Sequence, residues 1–395
     1  MLLASQRPVS RGVVEHASGG SGASGQRRCH VQPVQRPSAP RQAWIDVLRG
    51  ASVLLVVLAH AHHFAVSAEG ASAASALSPL LIQAVGTINK LFAPLRMELM
   101  FLLSGLFVAH GLTKGPARYL SGKFRNVLYP FLLWCLVNFV VREGGSAVIK
   151  GEPVAWQTLI DLLAGIAAPT WFLFDLFLFF LLIPLLRRYP AWMVIAATVA
   201  MSVILDGAGW SHYGEMAYYF AYFVAGDLIA RRGWNPATRW GGVGVIASAL
   251  CLGVLGVVAL TTSLSKTWWG YLPLVLASLP AIVALAMLAA RSPLSAPLAY
   301  VGRNSVVFYL VHFTLFIVLT FLASRLIHDD VVLFFVLLAA GIALPAALSW
   351  ARAQPSMRML DLLFCLPPSK RTTAMVPARE RVAFEAGLAE AERTG

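Results

Sequence analysis

Long apolar stretches recur along the chain, and they limit what it can fold into more than any other feature. A helix of about 20 apolar residues crosses the hydrocarbon core of a bilayer. The stretches are continuous, unlike the alternating strands of a membrane β-barrel, and only 12% of the residues are charged, against about 25% in soluble domains. The sequence therefore predicts an all-α, polytopic membrane protein with about ten transmembrane helices. The predicted spans are 45–66, 95–112, 126–142, 171–187, 191–206, 214–230, 241–261, 271–290, 301–323 and 331–351.

The distribution of basic residues predicts the orientation of these spans. With the N-terminus inside, 24 of the 31 Lys and Arg residues lie in inner segments or at their borders, and six lie in outer ones. Cytoplasmic loops carry such an excess, so both termini are predicted to be cytoplasmic. The net charge of +13 is then a consequence of topology and does not indicate a nucleic-acid partner. The expected location is the inner, cytoplasmic membrane, with the lipid bilayer as partner.

The composition divides the chain into one membrane domain and two tails. Residues 1–43 are rich in Gly, Ser, Arg and Pro, which predicts a disordered cytoplasmic tail. The membrane domain is predicted to span residues 44–353, and residues 354–395 form a second cytoplasmic tail.

The connections between the predicted spans differ in length and charge. The outer segments 67–94 and 143–170 are the longest. The first contains LLIQAVGTINKLF, which suits an interfacial or re-entrant helix. The inner turn 113–125 is short and carries four cations, Lys114, Arg118, Lys123 and Arg125. These cations suit the phosphates of an anionic carrier, although topology alone also explains them.

The first span carries an arginine and a histidine on one face. Arg49 and His60 are eleven residues apart, which at about 100° per residue returns the helix to within roughly 20° of the same face, about 16 Å further along. Ionisable residues inside a membrane are costly and often functional. His60 is therefore a candidate general base acting on a hydroxyl, with a polar contact between helices as the alternative. Arg49 is a candidate phosphate ligand, with simple snorkelling to the interface as the alternative.

Three further ionisable groups lie inside predicted spans. Glu98 and Asp175 lie at about the depth of His60, towards the outer face, where a carboxylate can orient a catalytic histidine. Alternatively, Glu98 pairs with Arg96 and Asp175 reaches water. His312 lies in the middle of the ninth span and either contacts the reacting molecule or bridges helices.

The run HAHH at the end of the first span is weak evidence for a metal site. His62 points away from the face that His60 and His63 share, and no acidic cluster accompanies the run. We predict no metal site and place His62 and His63 at the membrane interface.

Five stretches, in order, resemble a known family. They are IDVLRG followed by LAH, MELMFLLSGLFVAHG, KFRNVLYPFLLW, TWFLFDLFLFFLLIP and VGRNSVVFYLVHFTL. Together they resemble the acyltransferase 3 family of integral membrane acyltransferases over roughly residues 44–351, including its signature of an arginine, ten residues and a histidine. The resemblance implies a core of ten spans. The TWFLFDLFLFF stretch replaces the WSLxVEEQF of many polysaccharide-modifying members and looks closer to the branch of the periplasmic glucan succinyltransferase.

The resemblance also implies an activity. An acyl group, acetyl or succinyl, passes from cytoplasmic acyl-CoA to a hydroxyl of a glycan or other acceptor at the outer face, as in the O-acetylation of polysaccharides. No permanently bound cofactor is expected. The expected catalytic residues are His60 and Glu98, and those expected to bind the donor are Arg49, Lys123, Arg125 and His312. The role of Asp175, one position from the usual glutamate, stays open.

Two other classes of membrane protein remain alternatives. A transporter or flippase for a polar or glycan-type substrate also places polar residues within spans, but typically shows paired halves with matching helix breaks. No such pairing is evident here. A scaffold without catalysis leaves the Arg49–His60 face unexplained.

Overall fold

The structure is a computed structural model that describes residues 40–67, 78–166, 169–233, 241–323, 326–327 and 329–367. Residues 1–39 of the predicted N-terminal tail and residues 368–395 of the predicted C-terminal tail lie outside these described residues.

The described residues are almost entirely helical. Their α-helices are α1 (Pro40–Ser67), α2 (Ser78–Gly105), α3 (Val108–Leu112), α4 (Pro116–Lys123), α5 (Tyr129–Phe139), α6 (Gly145–Lys150), α7 (Trp156–Leu163), α8 (Trp171–Leu186), α9 (Ala191–Gly207), α10 (Ser211–Arg231), α11 (Gly242–Thr261), α12 (Tyr271–Ala289), α13 (Ser295–Arg303), α14 (Ser305–Ala323) and α15 (Asp330–Ala353). Two π-helical turns, Phe124–Leu128 and Val140–Gly144, flank α5, and a 3₁₀ segment, Pro355–Leu363, follows α15.

The chain is an all-α, polytopic membrane protein, as predicted. Among the described residues, seven helical runs are long and apolar enough to cross a bilayer. The three other predicted spans fall on α8, α9 and α10. Helices α8 and α9 are shorter, with 16 and 17 residues, and α10 carries Glu215, Asp227 and Arg231.

Several helix boundaries differ from those predicted. The stretch LLIQAVGTINKLF in the outer segment 67–94 is helical, as its pattern indicates, but it belongs to α2, which begins at Ser78 and is continuous with the second span. The inner turn 113–125 is also mostly helix, because one helical run extends from Pro116 to Ile149. Polar side chains do not end a helix whose backbone hydrogen bonds are satisfied internally. Conversely, Asn304 interrupts the ninth predicted span between α13 and α14.

Helix α1 crosses α13 with the two backbones in direct contact. A Cβ atom added to Gly50 would lie 2.0 Å from the Leu298 carbonyl oxygen, and one added to Gly302 would lie 1.9 Å from that of Asp46. Small residues permit such close approach of membrane helices, where van der Waals packing drives association. The glycines of IDVLRG and VGRNS thus place α1 directly against α13.

A second crossing of the same kind joins α2 to α10. A Cβ on Gly105 would lie 2.1 Å from the Phe223 carbonyl oxygen, and one on Gly226 would lie 2.0 Å from that of Leu102. Beside this crossing, Phe101 packs against the rings of Phe172, Phe179 and Tyr219, with centroids 4.7 to 5.2 Å apart. This aromatic packing holds α2, α8 and α10 together at the level where the polar residues lie.

Residues 355–366, here called the C-terminal strap, pack against α5 and the π-helical turn before it. The carbonyls of Leu362, Leu363 and Leu366 accept hydrogen bonds from Tyr129 Oη, Trp134 Nε1 and Arg125 Nε at 2.8, 2.9 and 2.6 Å. The strap therefore ties the end of the chain to its third predicted span.

Candidate active site

A cavity of about 150 Å³ lies beside the C-terminal half of α1. Its walls come from five helices, α1, α2, α8, α10 and α14, and from the loop before α12. Its polar lining residues are His60, Arg96, Trp171, Tyr219, Lys266, Tyr309 and His312. According to the predicted orientation, this is the outer half of the membrane domain.

The two histidines of the cavity are hydrogen-bonded to each other. His60 Nδ1 lies 2.9 Å from His312 Nε2, and His312 Nδ1 lies 2.7 Å from the Phe308 carbonyl oxygen. A carbonyl only accepts, so His312 Nδ1 carries a proton. In neutral His312, Nε2 is then an acceptor, and His60 donates to it from Nδ1. The remaining nitrogen, His60 Nε2, therefore carries the lone pair.

Aromatic contacts hold the ring of His60 in place. It stacks on His312 with centroids 5.2 Å apart and meets the edge of Phe313 at 5.1 Å. His312 is fully buried. Of the two roles predicted for His312, the structure shows a bridge between helices, since it joins α14 to His60 on α1, and it also places His312 in the cavity wall.

Tyr309 joins the histidine pair to the start of α8. Its hydroxyl donates to the Pro169 carbonyl oxygen and accepts from the Phe172 backbone N–H at 3.3 Å. The phenolic proton is thus already engaged. Tyr309 therefore ties α14 to the start of α8, where the ring centroid of Trp171 lies 5.5 Å from that of Tyr219.

The two predicted carboxylates do not line the cavity with His60. Glu98 and Asp175 are 0% and 1% exposed, and neither carboxylate has a hydrogen-bond partner among the described residues. Glu98 and Arg96 form no salt bridge, although the two groups lie within electrostatic range of each other. Glu98 lies within electrostatic range of Tyr219, and Asp175 of Tyr309. Both acids are therefore close enough to influence cavity-wall tyrosines electrostatically, without hydrogen bonds to them.

The three cations predicted to bind the donor have separate surroundings. The Arg49 guanidinium stands 5.3 Å from the centroid of the Phe107 ring, and the Lys123 ammonium stands 3.3 Å from that of Phe180. Arg125 bonds to the C-terminal strap. All three lie in the half of the molecule predicted to be cytoplasmic, and none lines the cavity around His60 and His312.

The cavity contains functional candidates that sequence analysis did not select. Arg96 appeared only as a possible partner of Glu98, and Lys266 only as one of the outer cations. Their clearest sequence signal is a positive charge on the outer side, where Lys and Arg are scarce. By contrast, His62 donates to the Ile82 carbonyl oxygen at 3.1 Å and His63 is exposed. Among the described residues, no group of three His, Cys, Asp or Glu is placed to hold a metal ion.

Comparison with known proteins gives one match. A family model described as an acyltransferase domain matches residues 42–350. This range contains every residue that lines the cavity and all six candidate site residues. No curated protein and no solved structure shows significant similarity to the chain.

Proposed function

Because the chain belongs to the acyltransferase 3 family, and is therefore a membrane acyltransferase, we propose that it moves an acyl group from cytoplasmic acyl-CoA to a hydroxyl at the outer face. The acceptor is a glycan or another hydroxyl-bearing molecule, and the acyl group is acetyl or succinyl. The membrane is the cytoplasmic membrane.

One observation carries the proposal, the hydrogen-bonded pair of His60 and His312 in the wall of a cavity. The pair presents a lone pair on His60 Nε2. An imidazole held in one tautomer is suited to accept a hydroxyl proton. As the proton moves to Nε2, the acceptor oxygen bonds to the thioester carbonyl carbon.

The reaction is completed when the carbon–sulfur bond breaks. The sulfur leaves with the bonding electrons, and His60 returns the proton to it, so the products are an ester and free CoA. His312 supports the positive charge on His60 by accepting from Nδ1. In an alternative route, the same Nε2 atom attacks the thioester, carries the acyl group transiently and releases it to the hydroxyl; an acyl-imidazole trapped during turnover distinguishes that route.

The donor reaches this site from the predicted inner side. Arg49 lies on the same helix as His60, eleven residues earlier, or about 16 Å along the axis. We propose that Arg49, Lys123 and Arg125 bind the phosphates of CoA, since guanidinium and ammonium groups both bind phosphate oxygens. The flexible arm of CoA then extends towards His60.

The test is acyl transfer by the purified full-length protein. We expect His60→Ala to lower the rate of acyl-CoA-dependent CoA release by about 10²- to 10⁴-fold, the usual contribution of a general base. His63→Ala is the matched control, because His63 is on the same helix but exposed, and it should retain the wild-type rate. Undiminished transfer by a folded His60→Ala protein contradicts the proposal.

A further inference from the structure

The cavity that holds His60 is positively charged on one side. Its described lining residues include two cationic side chains, Arg96 and Lys266, and no carboxylate. Arg96 comes from α2, and Lys266 from the loop between α11 and α12, so two separate parts of the chain bring positive charge to one small space.

The hydrogen-bonding capacity of Arg96 is mostly unused. Its Nη1 atom donates one long hydrogen bond, 3.5 Å, to the Leu55 carbonyl oxygen. No ion pair engages its guanidinium within the part of the chain that the structure describes. A guanidinium has five N–H donors arranged to bind a carboxylate through two of them. Arg96 is therefore positioned on the cavity wall with donors to spare.

Lys266 also has hydrogen-bond donors that are not used. Its ammonium pairs with Glu215 Oε2 at 3.0 Å, and its side chain is half-exposed. An ammonium has three N–H donors, so this ion pair leaves two for another acceptor. Glu215 holds Lys266 in position beside the cavity.

The small volume of the cavity limits the size of the group that Arg96 and Lys266 can bind. A cavity of about 150 Å³ is close to the volume that accommodates a benzene-sized molecule. When a small group reacts at His60 Nε2, its other atoms therefore lie close to Arg96 and Lys266.

We propose that Arg96 and Lys266 form an anion subsite, which binds a carboxylate or similar anionic oxygen group on the substrate that reacts at His60. This inference rests on the proposed function and specifies its substrate class. The anionic group has two possible sources: the far carboxylate of a short dicarboxylic acyl group, or a charged group on the acceptor.

The first experiment compares matched substrates on the purified full-length protein. Succinyl-CoA and butyryl-CoA differ at the far end of a four-carbon acyl group, and each is offered to a neutral and to an anionic oligosaccharide acceptor. We expect Arg96→Gln and Lys266→Gln to raise KM about tenfold or more for the anionic partner, since charge-assisted hydrogen bonds are the strong ones. KM for the neutral partner should change less than twofold.

The substrate whose KM changes identifies the source of the anionic group. A change confined to succinyl-CoA assigns the subsite to the acyl group, and a change confined to the anionic acceptor assigns it to the acceptor. Equal losses on all substrates overturn the proposal, because they indicate a general role such as stabilising the oxyanion. Lys90→Gln is the matched control, since Lys90 is an exposed cation on α2 outside the cavity.

A second experiment separates failure of this inference from failure of the proposed function. Succinate should raise the thermal unfolding temperature of the wild-type and His60→Ala proteins, and succinamide, its neutral analogue, should not. Lys266→Gln lies on an exposed loop and should fold, but lose the stabilisation by succinate. If the protein turns over no acyl-CoA but succinate still raises its unfolding temperature, the proposed function fails and the anion subsite stands. Equal stabilisation of wild type and Lys266→Gln, or none in wild type, overturns the subsite.

Discussion

At the scale of single residues, His312 determines which nitrogen of His60 is available for chemistry. Its own Nδ1 is committed to the Phe308 carbonyl oxygen, and its Nε2 accepts from His60. Without that acceptor, the tautomer of His60 is no longer fixed by a hydrogen bond from Nδ1. His312 is in this sense a positioning residue, whose effect on the reaction passes through His60.

This role predicts a rescue by a chosen substitution. His312→Phe keeps a ring but removes the acceptor, and we expect kcat to fall about 10²-fold with KM for acyl-CoA nearly unchanged. His312→Gln retains an acceptor oxygen and should recover part of kcat. The two variants should unfold at similar temperatures. If Phe and Gln behave alike, His312 only fills space.

The sequence predicts only part of the arrangement of residues around the cavity. His60 was selected because a histidine on the face of Arg49 is costly in a membrane helix. His312 was selected for its position in a span, but its contact with His60 joins residues 252 positions apart. Helical periodicity relates residues within one helix only. Arg96 and Lys266 looked like ordinary interfacial cations for the same reason.

At the scale of the helices, glycines determine how closely neighbours approach. Gly50 and Gly302 place the backbones of α1 and α13 in contact, and α14, which carries His312, follows α13 after Asn304. The spacing between His60 and His312 thus depends on a crossing of α1 and α13.

Adding one methyl group at this crossing should have a large effect. For Gly302→Ala we expect a loss of about 1–3 kcal/mol in stability, as for other overpacked sites, together with reduced acyl transfer. Gly253→Ala is the matched control, because Gly253 lies within α11 with nothing within 4 Å of an added Cβ. Thermal unfolding in detergent measures both variants, and equal unfolding temperatures contradict the assigned role of Gly302.

The helices could be predicted from the sequence where one long apolar stretch defines the whole span. Predicted spans 241–261, 271–290 and 331–351 match α11, α12 and α15 within two residues. The sequence predicts a separate interfacial or re-entrant helix around Gln83, Thr87 and Lys90, whereas in the structure this stretch is continuous with the second span in α2. These three residues have exposed side chains on a helix whose backbone hydrogen bonds are internal, and composition does not report those bonds.

At the scale of the whole molecule, the C-terminal strap packs against the side of the protein where acyl-CoA is predicted to bind. It bonds to Arg125, a candidate phosphate ligand, and packs Phe364 against Trp134 with ring centroids 5.8 Å apart. The family match ends at residue 350, so the strap lies just outside the matched range.

Deleting residues 355–395 should therefore destabilise the protein. The deletion removes the acceptors of Arg125, Tyr129 and Trp134, and each lost hydrogen bond costs about 1 kcal/mol. We expect a lower unfolding temperature in detergent. Deleting only residues 369–395 is the control, because it retains these contacts. If both truncated proteins unfold at the same temperature, the strap contributes no stability.

The chain of hydrogen bonds behind His60 has a direction, and it ends at a backbone carbonyl oxygen. It runs from His60 through His312 to the Phe308 carbonyl oxygen, which accepts hydrogen bonds but does not carry protons onward. A proton taken up at His60 Nε2 must leave from the same side. In the proposed reaction that proton passes to the leaving sulfur of CoA, so it departs with the product and not through His312.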